Sequence, residues 1–341
     1  MKEQGMKRRL IISAGGLVAA APALWAQTNP RRPAAKAPPP ARLTFGLITP
    51  RNAELTLKNW NPFIERMSVS AGLPISAQTY ATAAELVKDF VDGKVDLAWL
   101  GNAGALEIVE AGKGSVFAVK VNQGKTSYRS VLIAHRDSAI RSLDDVQRQA
   151  PQLVFGDGDL KSVSGHIVPM YFAFVKRGAN DPGKLFKETK RGSHEANLLA
   201  TAKREVDVAT NNTTELDNLR TNQPEQAALV RVVWESPEIP ESPMVWRDSL
   251  PASLKTRIAA FTERFGATDP EEKGILWNID KLTGFRKSTN RQLVTIADIE
   301  MFTARQRIIN DAGLSAEARL QRVDEVTRRG SKIELMLKAS S

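Results

Sequence analysis

A chain of 341 residues, 42% of them hydrophobic, is long enough for two domains with cores of their own. It has no cysteine, which excludes disulfides, thiolate metal sites, a cysteine nucleophile and a lipidated N-terminal cysteine. The net charge of +10 is concentrated at the start, with +3 in residues 1–26 and +4 in residues 27–42; the +3 left for the body, with no clustering of basic and aromatic residues, does not support a nucleic-acid surface.

Met1 to Arg9 is basic, Leu10 to Ala23 is small and apolar, and Leu24-Trp25-Ala26 precedes Gln27. This pattern reads as a secretory signal peptide over 1–26, with an apolar stretch too short for a membrane anchor. Lys7-Arg8-Arg9 resembles a twin-arginine signal without the preceding Ser or Thr, so general secretion fits better. Residues 27–42 are rich in Pro, Ala and basic side chains and read as a disordered, partly polyproline spacer. The mature protein is expected to be soluble, untethered and periplasmic.

From Leu43 the pattern alternates between strand and helix. Leu43–Thr49 and Pro74–Tyr80 read as strands around a helix near Trp60–Met67, and Thr82 stands in the capping position of a helix through Phe90. Val95–Gly101, a helix over about 103–111 and the strand Ser115–Val121 follow. A second unit runs from the strand Tyr128–Ala134 through a helix at Ser142–Val146, and then from a helix at His194–Arg204 through Val206–Thr210, Thr213–Arg220 and Ala228–Trp234. Pro237, Pro240 and Pro243 mark an extended crossing, and helices near 254–265, 271–282 and 298–310 close the chain, with a charged helix after Ser315. Such alternation favours sheets covered by helices on both faces, with ligands at the carboxyl ends of strands.

The stretch Phe155–Pro169 stands apart. Leu153-Val154-Phe155 reads as a buried strand, and Ser162 and Ser164 precede an apolar helical run from His166 to Val175 that stops at Gly178. A helix start exposes unpaired N–H groups and the positive end of the macrodipole, and two hydroxyls there add neutral donors suited to an oxyanion. Ordinary capping of a core helix is the alternative reading.

Asp157-Gly-Asp with Ser162–Pro169, Ser193–Asn197, Val206–Thr213, Ile239–Arg247 and Gly284-Phe-Arg286 resemble, in the same order, the blocks of the phosphonate-binding proteins of bacterial ABC phosphonate importers. The resemblance runs from about Leu43 to about Gln306. It implies an α/β two-lobe periplasmic-binding-protein fold of type II, each lobe a mostly parallel sheet flanked by helices, with the ligand cleft at the hinge. One lobe would comprise 43–127 and 243–341, and the other, inserted, 128–242. It further implies a monomeric receptor for a phosphonate or related phosphorus oxyanion, such as phosphite or phosphate, that serves a permease and its ATPase in the inner membrane. No catalysis, cofactor, metal, nucleic acid or stable membrane insertion is implied.

By motif position the resemblance assigns Tyr80, Ser162, Val163, Ser164, Gly165 and His194 to the phosphonate, and Tyr128, Thr214 and Ser242 to its substituent. Val163 stands where the family has threonine and so lacks one hydroxyl donor. Thr214 and Ser242 replace the glutamate and aspartate that pair with the amine of aminoethylphosphonate, which points to a ligand with a small or uncharged substituent. Glu215 and Glu241 lie one residue away: a local shift would bring either into the cleft, whereas strand alternation turns a side chain to the other face. Trp99 and Asn102 are read as floor or hinge, His135 and His166 as structural, and Asp157 with Asp159 as too few oxygens for a divalent ion. A receptor that presents its ligand to a sensor kinase would share the cleft. A Ser/His hydrolase is the alternative from another class, although no Gly-x-Ser-x-Gly elbow is present.

Overall fold

The computed structural model describes residues 42–49, 52–179 and 181–339, so the expected signal peptide and nearly all of the spacer lie outside the described residues. Strand β1 (Leu43–Ile48) and helix α1 (Ala53–Ala71) lead to β2 (Ile75–Tyr80), which pairs parallel with β1 from Leu43 opposite Ile75 to Ile48 opposite Tyr80. Helix α1 starts where Asn52 accepts the Leu55 N–H at 2.9 Å and ends at Gly72, whose φ of 72° suits a residue without Cβ. Helix α2 (Ala83–Val91) carries the full capping box that the Thr-x-x-Glu spacing announces: Thr82 accepts from the Glu85 N–H, and Glu85 accepts from the Thr82 N–H.

After β3 (Leu97–Trp99), α3 (Asn102–Glu110) and β4 (Gly114–Asn122), the chain leaves this sheet for a second one. There β5 (Ser127–His135), α4 (Leu143–Gln149), β6 (Val154–Asp157), β7 (Glu188–Arg191), α5 (His194–Ala202), β8 (Val208–Asn212), α6 (Thr213–Asn222), α7 (Pro224–Ala227) and β9 (Val230–Pro240) give the strand order β7-β6-β8-β5-β9. The chain then returns as β10 (Pro243–Arg247), α8 (Ala252–Arg264), α9 (Pro270–Asn278), β11 (Leu282–Lys287), α10 (Val294–Ile309) and α11 (Ala316–Ala339), and the first sheet has the order β11-β4-β10-β3-β1-β2.

The parallel alternation expected from the sequence holds for β1 with β2 and β3, and for β6 with β7 and β8. Strand β10 inserts antiparallel between β3 and β4, β11 pairs antiparallel with β4, and β5 pairs antiparallel with β8 and β9, so both sheets are mixed. The segment read as an extended crossing thus supplies the end of β9 and all of β10, and the helix read as far as residue 282 gives way to β11.

The apolar faces merge where the two sheets meet. Tyr80, Leu86, Phe90 and Leu106 from the first sheet and its helices share one buried cluster with Val163, Val168 and Ile239 from the second, and with Ile296 and Leu337 of the last two helices. At the edge of this cluster Lys161 reaches Glu107 of α3 at 3.1 Å. The crossing is pinned by Asn102, which donates to the Pro240 carbonyl at 2.8 Å and accepts from Gln292 at 2.8 Å.

Candidate functional site

The site begins where β6 ends. The Gly158 N–H points at both Asp157 Oδ1 (2.9 Å) and the Gly165 carbonyl (3.0 Å), which folds the turn back on the following helix. A Cβ at Gly158 would stand 2.7 Å from Gly165 Cα and its carbonyl oxygen, so the close approach demands glycine. The helix opens earlier than the sequence suggests, as a π turn over Val163–Ile167 followed by another over Met170–Phe174. Such turns are rare and recur at functional sites.

Ser162 is the cap. Its Oγ accepts the Gly165 N–H at 3.0 Å, and its carbonyl accepts from His166 and Ile167 at 3.0 Å each. Because Oγ accepts, its own proton remains available for a ligand oxygen. Ser164 is buried, with its Oγ 3.2 Å from His194 Nε2 and 3.3 Å from Asn212 Nδ2, while its carbonyl accepts from Ser130 Oγ at 2.7 Å. His194 opens α5, whose cap is Ser193, and Asn211 holds the His194 carbonyl at 2.9 Å. The β6 turn, the end of β8 and the start of α5 therefore converge on one hydroxyl. Val163 lies between the two serines and turns into the shared apolar cluster.

Tyr128, near the start of β5, has Ser164 among the groups that act on its hydroxyl. Burial, and then the nearby Glu241 charge, push its hydroxyl up to about 12, although Ser164 and Lys120 pull the other way. It therefore stays neutral and able to donate at physiological pH. Tyr80 is placed differently: its ring packs in the apolar cluster with Leu86 and Phe90 of α2, and its hydroxyl donates to Asp89 Oδ2 at 3.2 Å, not toward the serine turn. Burial and Asp89 push this hydroxyl up to about 12 as well. The structure thus does not bring Tyr80 into the expected donor set, because burial under α2 aims the phenol at that helix.

On the other side of Tyr128, Thr214 Oγ1 donates to Glu241 Oε1 at 3.3 Å. Glu241 Oε2 lies 3.3 Å from Lys120 Nζ, which also reaches Asp280 Oδ2 at 3.1 Å and stands 5.7 Å over the Trp99 ring. Burial alone would lower Lys120, but Asp280 and Glu241 outweigh it and hold the ammonium above its ordinary pKa, so it remains charged. Ser242 contributes its carbonyl, which accepts the Lys120 N–H at 3.3 Å. Asp280 and Lys281 have φ of 144° and 53°, conformations that cost non-glycine residues about 1–3 kcal/mol each. Asn122 Nδ2 holds this turn by donating to the Asp280 carbonyl at 2.8 Å.

A cavity of about 740 Å³ adjoins this network. Ile48, Asn52, Trp60, Trp99, Glu195 and Glu215 are among its lining residues, as is Asp280, but the serine turn is not. Trp99 and Asp280 connect the cavity wall to Lys120, which in turn meets Glu241.

The description "ABC transporter, phosphonate, periplasmic substrate-binding protein" belongs to the family model that matches residues 45–293. The phosphonates-binding periplasmic protein of Escherichia coli is 38% identical over 285 residues, 83% of each chain. The chain belongs to this family.

Among solved structures, a binding protein component of an ABC phosphonate transporter from Pseudomonas aeruginosa superposes with a TM-score of 0.73 at 37% identity, covering 86% of this chain and 96% of its own. PhnD1 from Prochlorococcus marinus, in complex with methylphosphonate, shares the fold with a TM-score of 0.66 at 20% identity, over 76% of this chain and 97% of that one. The protein is thus a phosphonate-binding substrate-binding protein of the ABC-transporter class, with the type II periplasmic-binding-protein fold.

Within this family member, the structure gathers Ser162, Ser164, Gly165 and His194, while Thr214 pairs with Glu241. His166 is held through Nδ1 by both Asp157 oxygens, at 2.9 and 3.0 Å, and His135 Nδ1 accepts the Asp137 N–H at 3.1 Å. Sequence reasoning missed Asn212 and Lys120. Asn212 sits in the Asn-Asn-Thr block without having been assigned a role, whereas the signal for Lys120 is a single charge in a mostly apolar strand. Of the two readings open for Glu241, the structure has the one that buries it beside Thr214.

Proposed function

We propose that this protein is the periplasmic receptor of a phosphonate importer, holding a small phosphorus oxyanion at the serine turn. Two lobes, 43–127 with 243–341 and the inserted 128–242, close on the ligand and deliver it to a permease and its ATPase in the inner membrane. Methylphosphonate, ethylphosphonate, phosphite and phosphate match the donor set in size and charge. Ser162, Ser164, backbone amides at the helix start, His194 and Tyr128 are the donors, and the protein performs no chemistry on what it holds.

The observation that carries this reading is the buried Ser164 hydroxyl. It stands at the mouth of a helix with His194 Nε2 at 3.2 Å and Asn212 Nδ2 at 3.3 Å around it. Preorganised donors around one point, together with the positive end of a helix, suit a tetrahedral oxyanion and require no proton transfer. Calorimetric titration with methylphosphonate tests it. Ser164→Ala removes a buried partner of a charged group and should weaken binding by about 1–3 kcal/mol, roughly 5- to 150-fold. Unaltered affinity in that variant would overturn the assignment.

A further inference from the structure

The substituent side of the site contains a cation of its own. Lys120 rises from β4, where Val119 and Val121 flank it, and only 7% of its side chain is exposed. Its ammonium meets Glu241, itself 4% exposed, at 3.3 Å, and Asp280 at 3.1 Å. Glu241 is the buried carboxylate next to Tyr128 and Thr214, so it is the group to which an ammonium on the ligand would turn. That group is already engaged. Asp280 has 38% of its side chain exposed, where water screens its charge, so the buried balance is one cation against one anion.

From this geometry, and building on the receptor reading above, we infer that Lys120 is a specificity-determining residue that occupies Glu241 and thereby excludes phosphonates with an ammonium on the substituent. A ligand ammonium at Glu241 would share one buried carboxylate with Lys120, placing two cations side by side in a site that water leaves on closure. Repulsion at that distance in a low-dielectric site is strong, and a carboxylate divided between two ammonium groups satisfies neither. A neutral ethyl or methyl group meets no such penalty. Selection here would come from a repulsive element built into the receptor and not from the lack of a carboxylate.

Aminoethylphosphonate and ethylphosphonate, which differ only in the terminal amine, are the probes. Calorimetry of the unaltered protein should show ethylphosphonate bound at least about ten-fold more tightly. The variant Lys120→Met with Asp280→Asn removes the internal cation and its outer partner and leaves Glu241 as a single buried carboxylate. Its affinity ratio of aminoethylphosphonate to ethylphosphonate should rise at least about ten-fold over that of the unaltered protein. A purely structural role for Lys120 would lower stability without moving that ratio, and an unmoved ratio in a folded variant overturns the proposal. If the variant does not fold, the unaltered protein still decides: equal affinity for the two ligands overturns the proposal while leaving the receptor reading intact. Binding of neither probe by the unaltered protein, with methylphosphonate also unbound, overturns the receptor reading and this proposal with it.

Discussion

Replacing Lys120 by methionine keeps most of the side-chain volume and deletes the charge between Glu241 and Asp280. Glu241 is buried, and its other carboxylate oxygen has the Thr214 hydroxyl at 3.3 Å, so the variant buries a carboxylate without a cation. Breaking a buried pair from one side costs about 3–5 kcal/mol, far more than an exposed pair contributes. With an unfolding entropy of about 2 cal/mol/K per residue over roughly 300 folded residues, that cost lowers Tm by about 5–8 °C. Scanning calorimetry at about pH 8 measures it, and adding Asp280→Asn should recover part of the loss by removing the second anion. A melting temperature within about 1 °C of the unaltered protein would refute the reasoning, because it would mean that Glu241 is hydrated and not held as a buried partner.

Two further perturbations test the surroundings. Gly158→Ala places a Cβ 2.7 Å from the Gly165 backbone, so the serine turn must shift; a stability loss of about 1–3 kcal/mol by denaturant unfolding should accompany weaker methylphosphonate binding. Glu300 of α10 is pushed up from its ordinary 4.5 to about 7 by burial first and then by Glu107, against Arg329. A carboxyl raised in the folded state stabilises fully below its ordinary value, and that contribution is lost as pH rises through about 7. The unaltered protein should therefore lose up to about 3 kcal/mol between roughly pH 4.5 and 8, and Glu300→Gln should flatten the slope, a shift readable in unfolding curves at the two pH values.

Much of the fold was legible because its first half obeys local rules. Apolar runs of strand length alternate with capped helices, and Thr82 with Glu85 states a helix start outright. The strands that were missed lack such signals. Residues Glu188–Arg191 of β7 are polar, as suits an edge strand, and Pro243–Arg247 follows a run of prolines that reads as a connection, although β3 and β4 supply its partners on both sides. No local pattern announces a partner more than a hundred residues away.

The site divides along the same line. Ser162, Ser164 and His194 lie in contiguous motifs at helix starts, and those motifs carry their geometry with them. Lys120, Glu241 and Asp280 come together from a strand, a crossing and a strained turn, and meet only in the folded chain. Alternation does not decide the direction of Glu241, because the residue sits between the end of β9 at Pro240 and the start of β10 at Pro243, where the period of two does not apply. Tyr80 keeps its expected place at a strand end, and packing under α2 sets where its hydroxyl points, which no local pattern states.

Calorimetric titration of the unaltered protein with methylphosphonate, with sulfate as the comparison anion, decides whether the serine turn holds a phosphonate. The account predicts saturable one-to-one binding of the phosphonate at micromolar or tighter affinity, weaker binding of sulfate, and a loss of phosphonate affinity on Ser164→Ala. Absence of binding heat for methylphosphonate, ethylphosphonate, phosphite and phosphate alike, with no ligand-dependent rise in Tm, would contradict it.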